Sequence, residues 1–332
     1  MKKAIGMQQE TLISRRSAMK LGITALAAGQ LPARAQDTAP GGPTVWLDMD
    51  QAALDEAYNQ RIYAPNIDRV LAQHRYMNEQ ARARLEAPER IAYGDAPIEG
   101  LDLYRTHSDN APTLVFFHGG TWRSNTAGQY AYIAEPYVRA GAHVIVPDFS
   151  AVHEIEGGLE VLVDQVRRSV AWVFEHASEF GGDPSRIHVL GHSSGGHLAG
   201  AVLTTNWSGD YGLPDNVVRG GICVSGMFDL EPVQLSWRNS YLHFDNASVQ
   251  ALSPQRHLDH LRAPVVLVYG SAETPEFQRQ SRDFAAAARA AGKQVELIEA
   301  DSFNHFEIQS TAASPYGVVG RAAFAQMGLN AG

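Results

Sequence analysis

From Ile91 onward the chain alternates short, nearly continuous apolar runs with longer stretches whose apolar residues recur at helical spacing. The runs at 100–106, 113–118, 143–147, 187–191, 221–225, 265–270 and 295–300 read as strands buried on both faces. Between them, residues 129–140, 159–180, 196–205, 275–291 and 316–327 read as helices. Strand alternating with helix predicts an α/β domain with a mainly parallel central sheet and helices on both faces. Gly141 and Gly292 fall just past two of the helices, where a C-terminal cap takes positive φ. Residues 46–87 have a different texture: polar, with Leu54, Ala57, Tyr58, Ile62, Val70, Leu71 and Tyr76 near helical spacing and prolines only at 65 and 88. They predict an N-terminal helical preface, 46–90, joined by a loose linker at 37–43 and lying near the C-terminal edge of the sheet, where open α/β folds bind ligands. No repeat of fixed period and no low-complexity segment interrupts this plan.

The first 35 residues stand apart from it. Lys2, Lys3, Arg15, Arg16 and Lys20 precede an apolar run at 21–28 and then Ala33-Arg34-Ala35. This is the charged, apolar, small-residue order of an export signal, and the run is too short to span a bilayer. Ser14-Arg15-Arg16-Ser17-Ala18-Met19-Lys20 is similar to a twin-arginine signal, whose pathway carries folded proteins. The expectation is cleavage after Ala35 and a periplasmic or secreted mature chain, residues 36–332, forming a single domain without membrane insertion. Composition agrees with a globular chain: 332 residues, 45% hydrophobic and 19% charged. The formal net charge of −9 argues against nucleic acid as a partner, and loss of the basic leader makes the mature chain more acidic still. A single cysteine, Cys223, excludes an intrachain disulfide and a thiolate metal cage.

Two glycine-rich stretches carry candidate chemistry. Gly191-His192-Ser193-Ser194-Gly195-Gly196 follows an apolar run and opens a helical stretch, which is Gly-x-Ser-x-Gly in the strand, turn, helix setting of a nucleophile elbow. Ser193 is the candidate nucleophile. Glycines at 191 and 195 let the sharp turn pass close to its neighbours, and the following helix aims free N–H groups, that of Ser194 first, at the reaction centre. No Lys follows the glycines and the Rossmann spacing is missing, so neither phosphate-binding loop fits. Upstream, the run at 113–117 ends in His118-Gly119-Gly120-Thr121-Trp122, a loop whose amides suit a developing oxyanion. Gly119, Gly120 and Ser194 are the candidate donors. His118 is expected to support the loop, and His118 and Trp122 are candidate contacts of a small-molecule substrate.

Thirteen histidines compete for the base, and chain order selects among them. In an elbow-type site the acid follows a late strand and the base follows the last. The run at 295–300 leads to His305, and the run at 265–270 leads to Glu273. A carboxylate there would hold the imidazole in the tautomer that accepts the serine proton. Asp229, after the run at 221–225, is the main alternative acid, with Glu276 and Asp301 nearby. His192 reads as packing or support. His197, His257 and His260 lack a carboxylate at metal spacing and His-Glu-x-x-His does not occur, so no metal and no cofactor are expected. Trp207, Trp237, Tyr241 and Phe303 read as core or pocket aromatics.

Several segments resemble the kynurenine formamidase (arylformamidase) family and its esterase relatives. They are Phe116-Phe117-His118-Gly119-Gly120-x-Trp122, Gly191-His192-Ser193-x-Gly195-x-His197-Leu198-Ala199, Val224-Ser225-Gly226-x-x-Asp229-Leu230-Glu231-Pro232 and Glu273-Thr274-Pro275-Glu276-Phe277. Leu54-Asp55-x-Ala57-Tyr58-Asn59 and Tyr63-Ala64-Pro65-Asn66 in the preface share it, so the resemblance spans essentially 46–330. It implies an α/β-hydrolase fold, a cofactor-free acyl-enzyme mechanism with Ser193, Glu273 and His305 as the triad, and a preface that borders the active site. Tyr58 thereby becomes a candidate substrate contact. Thr121 and Ser194 depart from residues common in that family, which puts the pocket's shape in question. Members acting on N-formylkynurenine usually work in the cytosol, whereas this chain carries an export-like leader. The expected function is therefore a serine hydrolase of a small or aryl carboxylic ester. An arylformamidase is the alternative and a non-catalytic binder of the same fold the second, the latter weakened by the presence of all three triad candidates. Oligomeric state is not legible.

Overall fold

A computed structural model describes residues 41–331; the export-like leader at 1–35 lies outside the described residues. Eight strands form one sheet: β1 (Glu89–Ala92), β2 (Gly100–Tyr104), β3 (Ala111–Phe117), β4 (His143–Pro147), β5 (Gly182–His192), β6 (Gly220–Val224), β7 (Val265–Gly270) and β8 (Val295–Ala300). Their order is β1-β2-β4-β3-β5-β6-β7-β8. The first two pairings, β1 with β2 and β2 with β4, are antiparallel; all others are parallel.

Every residue of β2, β3, β4, β6 and β7 is buried, which is why these strands read as nearly continuous apolar runs. Alternate side chains serve opposite faces. Val115 and Phe117 join Ile145 and the buried stripe Leu159, Leu162, Val163, Val166, Val170 and Val173 of the helix Gly158–His176. Leu114 and Phe116 join Val144 and Val146 on the other face, under the helices Ala131–Arg139 and Val318–Met327. This is the architecture the periodicity predicts, with β5 longer than expected because its first residues run beyond the apolar stretch.

Two parts of the fold are not predicted by periodicity. β1 is a short, mostly exposed edge strand with no apolar run to announce it. Residues 226–262, between β6 and β7, fold into short helices that include Glu231–Leu235, Asn239–Leu242 and Asn246–Leu252, none long enough to show a helical repeat.

This excursion meets the preface. The helix Gln51–Ala57 is capped by Asp50, which accepts from the Ala53 amide at 2.9 Å. Gln51 Nε2 donates to the Leu235 carbonyl, and the Trp237 amide donates to Asp55. Thr274, after β7, donates to the Ala57 carbonyl at 2.7 Å and exchanges hydrogen bonds with Gln60. The second preface helix, Ile67–Arg84, caps Ala131–Arg139 through Asn78, which accepts from the Ala131 amide. Through Thr274 the preface packs just beyond the C-terminal end of β7. Among the described residues no helix is long and apolar enough to cross a membrane.

Candidate active site

Four strand ends converge there. β5 delivers Ser193, β3 the loop 118–122, β7 Glu273 and β8 His305. Because β5 lies between β3 and β6, the nucleophile has the glycine loop on one side and the acid and base strands on the other.

Ser193 sits at φ 60 and ψ −125, a strained conformation for a residue with a side chain, at the junction of β5 and the helix Ser194–Leu203. Its amide donates to the Val224 carbonyl at 2.9 Å, which ties the turn to β6. The turn admits no side chain beside it: a Cβ at Gly191 would stand 1.9 Å from the Gly195 carbonyl oxygen, and one at Gly195 would stand 2.0 Å from that of Phe117. Close approach, more than positive φ, explains both glycines.

His305 Nε2 is 2.9 Å from Ser193 Oγ, and His305 Nδ1 is 2.8 Å from Glu273 Oε2. An ionised carboxylate only accepts, so Nδ1 carries the hydrogen and Nε2 presents its lone pair to the serine hydroxyl. Glu273 is 1% exposed, and its other oxygen accepts from Ser225 Oγ at 2.5 Å and from the Gly270 amide at 2.8 Å. Both oxygens of the buried carboxyl group are therefore hydrogen-bonded. Asp229 is engaged elsewhere: it accepts from Arg256 at 3.3 Å and from the Glu231 amide. Glu276 pairs with Arg279, and Asp301 accepts from Ser271.

The glycine loop lies against the nucleophile, since a Cβ at Gly119 would meet the Ser193 Cβ at 3.1 Å. The Gly119 carbonyl accepts from Asn125 Nδ2 and from His118 Nδ1, both at 3.0 Å. In a trans peptide the next N–H points the opposite way, so these two bonds fix the direction of the Gly120 amide. The amides of Gly119, Gly120 and Ser194 donate to no group among the described residues.

The candidate substrate contacts divide. Tyr58, Ser193, His305, Gly119 and Gly120 line one cavity of about 1140 Å³. Trp122 and His118 do not, which corrects their expected place in the pocket. Positive φ at both Thr121 and Trp122 turns the indole inward, where Nε1 donates to His197 Nδ1 at 3.2 Å and His197 donates in turn to the Leu252 carbonyl. His118 is stacked between Tyr130 and Phe149 behind the loop it was expected to support. Trp237 reaches the cavity, whereas Trp207 packs against Tyr211 in the core. Tyr58 donates to Glu276 at 3.0 Å, and burial together with that carboxylate raises its phenol well above the usual range, so it stays a donor.

Comparison with known proteins fits this geometry. A family model described as BD-FAE matches residues 101–218. Kynurenine formamidase of Danio rerio is 29% identical over 276 residues, 79% of this chain and 92% of that one. Esterase LipQ of Mycobacterium tuberculosis is 27% identical over 249 residues, 68% of this chain and 58% of that one. Among solved structures, an esterase of Pyrobaculum calidifontis superposes with a TM-score of 0.64 at 16% identity, covering 81% of this chain and 97% of that one. This chain is an α/β-hydrolase similar to the arylformamidases and to esterases.

Several residues of the hydrolase's site were not anticipated. Ser225, at φ 51 beyond β6, clamps the acid; the strand end was visible, but nothing in the sequence said that its serine faces Glu273. Gln309 donates to Tyr132, and His74 stacks on Tyr132, giving the cavity a wall of preface and C-terminal residues. Arg238 lines the cavity from within the excursion 226–262. Among the described residues no cluster of three or more His, Cys, Asp or Glu side chains is arranged to hold a metal ion.

Proposed function

We propose that this hydrolase cleaves small or aryl carboxylic esters through an acyl-enzyme. Ser193 Oγ attacks the carbonyl carbon as its proton passes to His305 Nε2. Glu273 orients the imidazole and stabilises the imidazolium, and the amides of Gly119, Gly120 and Ser194 receive the oxyanion. The imidazolium then protonates the departing alkoxide. A water deprotonated by His305 attacks the acyl group, releasing the acid and restoring Ser193. The observation that carries this reading is the continuous chain from Ser193 through His305 to Glu273, at 2.9 and 2.8 Å, on the wall of the cavity. A fluorophosphonate probe tests it: a single covalent adduct on the wild type, absent from Ser193→Ala, is expected. No adduct, or an equal one on the variant, overturns it.

A formamide substrate is the second reading, favoured by the kynurenine formamidase relatives that align over most of both chains. His305 must then protonate an aniline nitrogen before the C–N bond breaks, a harder departure than that of a phenoxide. Comparing p-nitrophenyl acetate with N-formylkynurenine in one preparation decides between them; a higher kcat/KM for the formamide replaces the ester reading.

We further propose that the leader at 1–35 exports the chain. The order of Arg15-Arg16, apolar run and Ala33-Arg34-Ala35 supports this. Mass spectrometry of the exported protein is expected to begin at Gln36, and an intact Met1 there overturns the proposal.

A further inference from the structure

Arg238 is 4% exposed and has no carboxylate within ion-pair distance among the described residues. Its Nη2 donates to the Tyr58 carbonyl at 2.8 Å, Nη1 lies 3.5 Å from Met227 Sδ, and Nε is buried with no hydrogen-bond partner among the described residues. The guanidinium carbon stands 5.4 Å from the Tyr58 ring centre and 5.8 Å from that of Phe277. Ring faces and one carbonyl are poor compensation for a cation taken out of water. Glu276, the buried acid that Tyr58 contacts, cannot supply the rest, because it is already bound by Arg279 through Nε and Nη2, both at 2.7 Å.

Arg238 is also one of the residues that line the cavity holding Ser193 and His305. Phe277, under Arg238, also makes an edge contact with His305 at 5.0 Å, so one buried ring touches both the cation and the base. A planar fork with a free donor, buried beside a cavity, is preorganised for a carboxylate. The chain is acidic overall, while the exposed Glu56, Glu79, Arg61 and Arg75 at the cavity are of both signs and all screened by water. General electrostatics would therefore not attract the anion that Arg238 would hold.

We propose that Arg238 is a specificity-determining residue that binds a carboxylate carried by the substrate several bonds from the scissile carbonyl, so that the enzyme favours anionic substrates over neutral ones of the same shape. The proposal rests on the hydrolase reading and names the substrate class of that site.

The test compares 3-acetoxybenzoate with 3-acetoxybenzamide, which differ in charge and hardly in shape. Each kcat/KM is normalised to that ester's own hydroxide-catalysed rate. The wild type is expected to favour the carboxylate at least about tenfold, the size of one charge-assisted pair. Arg238→Gln should bring the ratio to near one, and Arg238→Lys should keep part of it. The ratio is internal to each protein, so a variant damaged overall still reports it. An arginine that merely braces the Tyr58 backbone would change both substrates together and leave the ratio untouched. A wild-type ratio near one, or a ratio unchanged in Arg238→Gln, overturns the proposal. Calorimetric binding of the same two compounds to Ser193→Ala gives an arm that needs no turnover. Tighter binding of the carboxylate with no hydrolysis of either compound by the wild type would sink the esterase reading and leave the Arg238 proposal standing; equal binding would sink the Arg238 proposal.

Discussion

His192 Nε2 donates to the backbone carbonyl of His305 at 2.8 Å, so the residue before the nucleophile holds the main chain of the base. The two rings lie 4.7 Å apart. A carbonyl only accepts, which assigns the hydrogen to Nε2 and leaves His192 Nδ1 a buried lone pair without a hydrogen-bond partner among the described residues. Burial, reinforced by the charge His305 gains during turnover, keeps His192 well below the usual histidine range, so it stays neutral beside the imidazolium. The elbow and the base loop, 113 residues apart, are thereby set in register.

His192→Ala is expected to lower kcat by about 10- to 100-fold while KM changes by less than about threefold, since the bond positions His305 without touching the acyl group. Steady-state kinetics on p-nitrophenyl acetate check this. An unchanged kcat, or a loss wholly in KM, contradicts the positioning role.

Glu273→Gln keeps the shape and the bonds to Ser225 and Gly270 but removes the charge that fixes the His305 tautomer. A loss in kcat of roughly 10³- to 10⁴-fold is expected, by analogy with neutralising the acid of a serine protease triad. Asp229→Asn, which breaks only a partly exposed contact with Arg256, should stay within about threefold of wild type. The reverse outcome would move the acid to Asp229.

How far the sequence anticipates this site depends on what each residue's position rests on. Glu273 follows the fully buried apolar run of β7, Ser193 the buried second half of β5, and His305 the half-exposed β8, whose apolar Val295, Leu297 and Ile298 still mark a strand, so their place at the strand ends can be read from chain order. Trp122 misleads because adjacency to the glycine loop says nothing about the two positive φ angles that swing its ring toward His197. Arg238 is silent for a related reason. A lone arginine in a run of short helices reads as surface, and only the closure of the preface through Gln51, Asp55 and Tyr58 buries it.

Gly119→Ala places a methyl 2.9 Å from the His192 carbonyl oxygen and 3.1 Å from the Ser193 Cβ, so the loop must withdraw from the nucleophile. Displacing an oxyanion donor costs about 10²- to 10³-fold in kcat. That loss is expected here, with the circular dichroism spectrum retained because the contact involves one loop. Full activity in the variant would remove this loop from the oxyanion site.

Acid should destabilise the fold before most carboxylates titrate. Burial holds His74, His188 and His197 at about 4 and His192 lower still, against about 6.5 in an unfolded chain. Between those values the unfolded chain binds protons that the folded one refuses, so stability falls as the pH drops through that window and is complete above 6.5. Each such histidine contributes up to ~1.4 kcal/mol per pH unit. Urea midpoints at constant m are therefore expected to decline steadily from pH 7 to pH 5. His188→Gln offers a check away from the catalytic residues, since His188 lies near the start of the parallel pairing of β5 with β6 and donates to the Arg186 carbonyl. Removing its titration should make the decline shallower by one histidine's share, whatever the change in absolute stability. A midpoint that is flat from pH 7 to pH 5, or a slope identical in the variant, would show that the buried imidazoles accept protons without unfolding.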